Sequence, residues 1–316
     1  MTDRLKQSLL YHSGALGDFI TTIPAIAYWK KRNENVRLVI LGDPAIGKFA
    51  TETGIVHGFL DVNQARFAAL FSDRLGQEIS KFLVPFSHAI AFADVDSPLI
   101  TNFRAAGIQC LSQPPFPSGL THVVDYHSSL FTDVSKLTQE EKTPKIKIPS
   151  NAMAGSDPII TLKTHPIAIH PGSGSARKNW PFERFLSVAD QLRAKGRKIV
   201  WIAGPAEKGL VFPETDYLFA NQPLLALARL LCRCELFIGN DGGITHLAAA
   251  LGCRTIALFG PSDPVVWAPR GNKVTIVYKN SPCSPCHLDS SSSCTGDQSC
   301  LNDISVQHVL SACPVI

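Results

Sequence analysis

The sequence predicts an α/β protein built from two Rossmann-like, parallel-sheet domains, and three observations predict it. Short apolar runs alternate with helix-length patterns from one end of the chain to the other. The alternation lapses over residues 112–158, which are rich in Pro and Ser, and then restarts. Each half also opens in the same way, with an apolar run, a glycine-bearing loop and a helical segment. At 316 residues the chain is long enough for two domains with separate cores.

In the first half, "SLLYH" (8–12) reads as a strand leading through a glycine loop into the helix "DFITTIPAIAYWKKR" (18–32). "VRLVIL" (36–41), "HAIAFA" (88–93) and "IQCL" (108–111) are further strands. "KIKIPSNAMAGSDP" (145–158) reads as a linker, which sets the expected domains at 1–155 and 156–316. In the second half, "PIAIH" (166–170) precedes a Gly/Ser loop and the helix "FERFLSVADQLRAKG" (182–196). "KIVWIAG" (198–204), "ELFIGN" (235–240) and "RTIALFG" (254–260) follow as strands, with helices between them. Ligands of such sheets sit beyond the carboxyl ends of the strands, so two such domains are expected to face a central cleft. No short-period repeat is present, which argues against a solenoid.

Composition narrows the function. Hydrophobic residues make up 45% of the chain, and the mean hydropathy of +0.09 is that of a globular protein. The net charge of +4 suits small anions or an acidic membrane face and is too weak for a nucleic-acid partner. The start "MTDRLKQSLLYHSG" lacks the apolar core of a signal peptide, and no run is apolar enough to span a bilayer. A cytoplasmic protein is therefore expected. Nine cysteines, an odd number, suit a reducing compartment better than a disulfide framework. In the Cys-rich tail from about residue 281, Cys283, Cys286, Cys294 and Cys300 are spaced C-x₂-C-x₇-C-x₅-C. Only the first pair has zinc-ligand spacing, with His287 next to it, so thiols that pin a terminal loop are the expectation and structural zinc the alternative.

Three motifs mislead. "GDPAIGKF" (42–49) begins like a phosphate-binding loop, but Phe49 stands where a magnesium-ligating hydroxyl belongs and Pro44 removes a backbone donor. "DVD" (94–96) resembles a metal-holding Asp pair, yet a turn before Pro98 accounts for both carboxylates. "HPGSGSA" (170–176) holds a serine between glycines without the spacing of a nucleophile elbow.

Four loops at predicted strand ends remain. "HSGALGDFITTIP" (12–24) offers Asp18 at a helix mouth, either as a capping carboxylate or as a general base. "HPGSGSARKNWPFERF" (170–185) offers Ser173, Ser175, Arg177 and Lys178, a surface loop or a phosphate site. "AGPAEKG" (203–209) offers Glu207 as an acceptor for sugar hydroxyls. "GNDGGITHLAAALG" (239–252) offers Asp241, Gly242 and Gly243 ahead of a helix, a plain helix start with Asp241 as cap or an anion site.

Together these loops, with "LFGPSDP" (258–264), resemble the ADP-heptose:lipopolysaccharide heptosyltransferases, glycosyltransferase family 9, in order and spacing from near residue 8 to near residue 310. The resemblance implies the GT-B fold and inverting transfer of heptose from ADP-heptose to a lipopolysaccharide inner-core acceptor. It implies that Asp18 is the general base and that Lys178 neutralises the diphosphate leaving group. Ser173 and Ser175 fall where the family places hydroxyls near the phosphates, and Glu207 where a glutamate holds the donor ribose. Asp241, Gly242 and Gly243 would line the diphosphate and donor-sugar region, Asp241 as a helix cap or an acceptor from sugar hydroxyls. The first domain would then serve the acceptor and the second the nucleotide sugar. No cofactor or metal is required, because a lysine and a helix end can take the place of an ion.

Asn179 and Gly242 stand where other members often carry His and Ser or Thr, which keeps a different nucleotide sugar open. Twin Rossmann-like domains also suit a nucleotide-sugar epimerase, or a binder of nucleotide sugar or glycan that carries out no catalysis. A lipid-linked saccharide acceptor implies peripheral contact with the inner face of the cytoplasmic membrane. "AYWKKR" (27–32), aromatic then basic, is the candidate contact.

Overall fold

Strands buried on both faces need unbroken apolar runs, and the chain's best runs became the centres of two sheets. The computed structural model describes residues 6–150, 164–286 and 299–313. The chain divides into two units, Met1–Pro149 and Ser150–Ile316.

The first unit runs β1 (Lys6–His12), α1 (Leu16–Arg32), β2 (Val36–Gly42), α2 (Pro44–Glu52), β3 (Gly58–Asp61), α3 (Gln77–Leu83), β4 (Phe86–Phe92), α4 (Pro98–Ala105), β5 (Gln109–Gln113) and α5 (Val123–Ser129). Its five strands lie in the order β3-β2-β1-β4-β5, and every pairing is parallel. The order reverses between β1 and β4, where open α/β sheets bind ligands. Leu9, Leu41, Phe67, Ala91 and Phe103 are core residues of this unit, all fully buried.

The second unit runs β6 (Ile167–His170), α6 (Phe182–Ala194), β7 (Ile199–Ala203), β8 (Tyr217–Ala220), α7 (Leu224–Leu231), β9 (Leu236–Asn240), α8 (Gly243–Ala250), β10 (Thr255–Phe259), α9 (Pro264–Trp267), β11 (Val274–Tyr278), α10 (Ser299–Asn302) and α11 (Val306–Ala312). Its six strands are ordered β11-β10-β9-β6-β7-β8, again parallel throughout. Counted from β6, this is the strand order of dinucleotide-binding sheets, with its reversal between β6 and β9.

The expected pair of parallel-sheet α/β units is thus present. Sequence reasoning missed β3, β8 and β11. Each lies at a sheet edge and is only partly buried, so none needs a continuous apolar run.

The tail packs on the second unit. Trp180 is fully buried, and its indole N–H donates to the Ile304 carbonyl at 2.8 Å. Arg184 Nη1 donates to the carbonyls of Asn302 (2.6 Å) and Ile304 (2.7 Å). The Ser284 hydroxyl donates to the Gly260 carbonyl, and Cys286 N–H to the Pro261 carbonyl at 2.8 Å. Leu301 is fully buried, a gain of about 2 kcal/mol. It closes on Gly260 so tightly that a Cβ there would lie 2.5 Å from Leu301 Cγ. Cys300 is buried, while Cys283 is exposed; Cys294 and His287 lie outside the described residues. Among the described residues no three His, Cys, Asp or Glu side chains form a metal-holding group.

The misleading motifs have structural explanations. Asp43 caps α2, accepting the Ala45 and Ile46 N–H groups at 2.9 and 3.0 Å, so those donors are taken. Asp94 sits in a turn whose carbonyl accepts Ser97 N–H at 3.0 Å. In the 27–32 segment, Lys30 Nζ donates to the Gly54 and Ile55 carbonyls at 2.8 and 3.0 Å. The Arg32 guanidinium lies over the Tyr28 ring at 3.5 Å. Two of its three cations are thereby engaged within the unit. No helix among the described residues is long and apolar enough to cross a membrane.

Gly42, at the end of β2, leaves no room for a side chain against β1, since a Cβ there would lie 2.3 Å from the His12 carbonyl oxygen. Gly42→Ala is therefore expected to cost about 1–3 kcal/mol of stability and to lower the melting temperature. An unchanged melting temperature would show that the two strands separate at no cost.

Candidate functional site

In the first unit the chain leaves β1 at His12 and enters α1 at Leu16, so Asp18 occupies the third helical position. Its Oδ2 accepts the Ala15 N–H at 2.9 Å. Ala15, the N-cap residue, has no side-chain oxygen to reciprocate, so the carboxylate alone caps this turn. A negative charge is also favoured there by the helix dipole. Gly14 makes this possible, because a Cβ on it would sit 2.9 Å from both Asp18 Cβ and Oδ2.

Beneath this turn lie two buried histidines. Thr21 Oγ1 donates to the Asp18 carbonyl at 2.7 Å and lies 3.3 Å from His127 Nδ1. His127 Nε2 is 3.0 Å from the Pro115 carbonyl and donates to it. His127 packs on Phe92 with ring centroids 4.8 Å apart, and His12 on Phe19 at 5.5 Å. Burial, then the neighbouring His127, pushes the His12 imidazole down to about 4, against a smaller upward pull from the Asp18 backbone. Burial lowers His127 as well, so both rings are neutral at physiological pH. His12 Nδ1 is buried without a hydrogen-bond partner among the described residues.

A pocket of about 240 Å³ in the same unit is lined by Tyr28, Lys31, Arg32, Glu140 and Lys145. These α1 residues belong to its last turns, the opposite end of the helix from Asp18.

In the second unit the ends of β6 and β9 are adjacent, with His170 paired to Gly239. Asn240, fully buried, fastens the loop after β6 to β9. Its Nδ2 donates to the Pro171 carbonyl at 2.7 Å, and its Oδ1 accepts Trp180 N–H at 3.0 Å. The loop so held presents Lys178 at the end of a 3₁₀ turn (Ala176–Lys178). Lys178 Nζ donates to Asp241 Oδ2 at 2.8 Å; the lysine side chain is 38% exposed and the aspartate's 7%.

Asp241 is therefore not the cap of α8, one of the two roles that its place before two glycines left open. The N-cap residue is Gly242, and the helix has no side-chain cap. The Asp241 N–H donates instead to the Leu258 carbonyl at 2.9 Å. Among the described residues the first turn of α8 thus keeps backbone N–H groups that no N-cap side chain accepts, near a lysine. A Cβ on Gly242 would meet Ser173 Cβ at 3.5 Å, an ordinary contact, so a small side chain is accommodated there.

Ser173 shapes its own loop. Its Oγ lies 2.7 Å from the Ser175 carbonyl and from Asn179 Oδ1 and accepts Ser175 N–H at 3.2 Å. Glu207, on a 3₁₀ turn after β7 (Pro205–Glu207), is 6% exposed. Its Oε2 accepts Gly204 N–H at 2.6 Å, and His170 Nε2 is 3.8 Å away. His170 first, and the Gly204 N–H after it, hold its carboxyl below the usual range against the opposing pull of burial.

The second unit therefore brings Ser173, Lys178, Asp241 and Gly242 to one strand-order reversal, with Gly243 opening α8 and Glu207 beside β6. Asp18 occupies the corresponding strand end of the first unit. Sequence reasoning did not single out Asn240, His170 or His12. Their common signal is a polar residue as the last of a buried strand. Chemically, a cation, uncapped helix N–H groups and a carboxylate acceptor suit a ligand bearing both an anion and hydroxyls.

Residues 104–294 match the family described as glycosyltransferase family 9 (heptosyltransferase). Lipopolysaccharide heptosyltransferase 3 of Escherichia coli is 30% identical over 118 residues, covering 34% of this chain and 35% of that protein. Lipooligosaccharide heptosyltransferase 2 of Campylobacter jejuni is 23% identical over 284 residues, 86% and 87% of the two chains. The match to the first thus spans about a third of its length. Among solved structures, E. coli ADP-heptose lps heptosyltransferase II aligns with a TM-score of 0.74 at 18% identity, over 97% of each chain. The dodecameric iron-containing heptosyltransferase TibC, in complex with ADP-D-beta-D-heptose, aligns at 0.65 with 15% identity, over 98% of this chain and 75% of TibC. At such identities these likenesses speak for the fold.

The neutral His12 has a consequence for stability. With the folded-state value near 4 against an ordinary 6.5, its contribution is complete above pH 6.5 and lost as the pH falls through about 4, a change of about 3 kcal/mol. His12→Phe is expected to flatten that loss in urea unfolding between pH 7 and pH 4. The same pH slope in both proteins would contradict the assignment. A residual slope from His127, shifted in the same sense, remains in either case.

Proposed function

The chain belongs to glycosyltransferase family 9, and we propose that it transfers heptose from ADP-heptose to a lipopolysaccharide inner-core acceptor, inverting the anomeric centre. The supporting observation is the Lys178–Asp241 pair beside the uncapped first turn of α8. A nucleoside diphosphate leaving group develops charge as its bond to the sugar breaks. A lysine and a helix N-terminus stabilise that charge without requiring a cofactor. A salt bridge with a lysine this exposed is worth at most about 1 kcal/mol, so an incoming diphosphate can recruit Lys178 from Asp241. Asp241 then serves to hold the ammonium in reach and to accept from donor-sugar hydroxyls.

Asp18 supplies the general base that takes the proton of the acceptor hydroxyl. The N–H that it accepts from Ala15 orients the carboxylate. Glu207 accepts from the ribose hydroxyls. Gly242 and Gly243 allow the diphosphate to reach backbone N–H groups. Ser173 and Ser175 shape the phosphate loop, Ser173 through its bond to Ser175 N–H. The first unit serves the lipid-linked acceptor and the second the donor. The enzyme works in the cytoplasm, in peripheral contact with the membrane that carries its acceptor.

Titration with ADP, UDP, GDP and CDP tests the donor half of this reading. ADP is expected to bind, and Lys178→Ala to weaken it by about tenfold or more. Preference for another nucleotide would discard ADP-heptose. In a transfer assay, Asp18→Asn is expected to lower kcat by about 10²–10⁴-fold with ADP affinity unchanged; undiminished turnover would dismiss Asp18 as the base.

A further inference from the structure

Glu207 commits one carboxylate oxygen to the protein. Oε2 takes the Gly204 N–H at 2.6 Å and faces His170 Nε2 at 3.8 Å, an ion-pair distance longer than a hydrogen bond. Oε1 packs against Gly172, where a Cβ would come within 1.5 Å of it. Three backbone features thus converge on this carboxylate: a glycine without a side chain, a donated N–H, and the last residue of β6.

His170 is itself buried, its side chain 9% exposed, and its backbone is fixed by pairing with Gly239 of β9. A buried carboxylate is costly unless polar partners surround it. Gly204 and His170 are the partners on the Oε2 side. Without the imidazole, only backbone N–H groups, chiefly that of Gly204, would be left to orient the group. In dinucleotide-binding sheets an acidic residue recognises the ribose hydroxyls in this manner.

We infer that His170 is a positioning residue for ribose recognition: by fixing Oε2 of Glu207 it leaves Oε1 to accept from the 2′- and 3′-hydroxyls, so that the second unit takes a ribonucleoside diphosphate in preference to its dideoxy counterpart. This role rests on the donor nucleotide occupying the second unit, as proposed above.

Calorimetric titration with ADP and with 2′,3′-dideoxy-ADP tests it, on the full chain and its His170→Phe and His170→Gln variants. The unsubstituted protein is expected to prefer ADP by about tenfold or more, the discrimination of a site built to bond hydroxyls. His170→Phe is expected to reduce that preference to within about twofold while leaving dideoxy-ADP affinity unchanged. His170→Gln, which keeps an N–H donor, is expected to retain most of it. His170→Ala, read with and without added imidazole, repeats the test with a second shape, and imidazole is expected to restore the preference.

Full preference in His170→Phe and His170→Ala would overturn the role of His170 and leave Glu207 as the ribose acceptor. Equal loss of both nucleotides in these variants would also overturn it, since a merely structural residue behaves that way. Equal affinity of the unsubstituted protein for the two nucleotides would instead overturn ribose recognition by Glu207. No binding of ADP at all would overturn the nucleotide reading itself.

Discussion

The second unit depends on one buried side chain, the carboxamide of Asn240. Fully buried at the end of β9, it donates to Pro171 on one side and accepts from Trp180 on the other. The loop between those residues has no strand or long helix of its own, so this amide is what fixes its ends. Lys178 lies within the loop, and Asp241 is the next residue after the amide, so both members of the pair are aimed from one anchor. Trp180 extends the anchoring further, because its indole N–H holds the Ile304 carbonyl and with it the tail. Breaking a buried polar centre of this kind costs more than one hydrogen bond, since its partners are left unsatisfied.

The first unit solves the analogous problem with a different chemistry. There the strand end carries a carboxylate rather than a cation, and the carboxylate bends back to cap its own helix. Gly14 clears the space it occupies, and neutral, buried imidazoles lie beneath it. The connection after β1 thus carries a carboxylate and the one after β6 a cation. One is suited to taking a proton and the other to receiving negative charge.

Much of this was legible in the sequence, and the remainder was hidden for physical reasons. Central strands announce themselves because burial on both faces demands runs such as "LFIGN" and "TIALF". Edge strands such as Gly58–Asp61 face solvent in part and mix polar with apolar residues, leaving no such signal. Glycines and charges at strand ends marked the loops correctly. The partner of Asp241 was not readable, since Lys178 lies 63 residues away in the chain. Local reasoning left Asp241 as a cap of the nearest helix or an acceptor from sugar hydroxyls; the tertiary structure excludes the cap and pairs it with Lys178 across the strand-order reversal. Asn240 and His170 passed as ordinary strand ends for the same reason: their partners are distant in sequence.

In the proposed function, the reversal between β6 and β9 receives the diphosphate of the donor. A crystal structure of the protein with ADP tests this most directly. The terminal phosphate is expected about 2.7–2.9 Å from Lys178 Nζ, against the first turn of α8, with the ribose at Glu207. ADP bound elsewhere, with Lys178 still held by Asp241 alone, would contradict it.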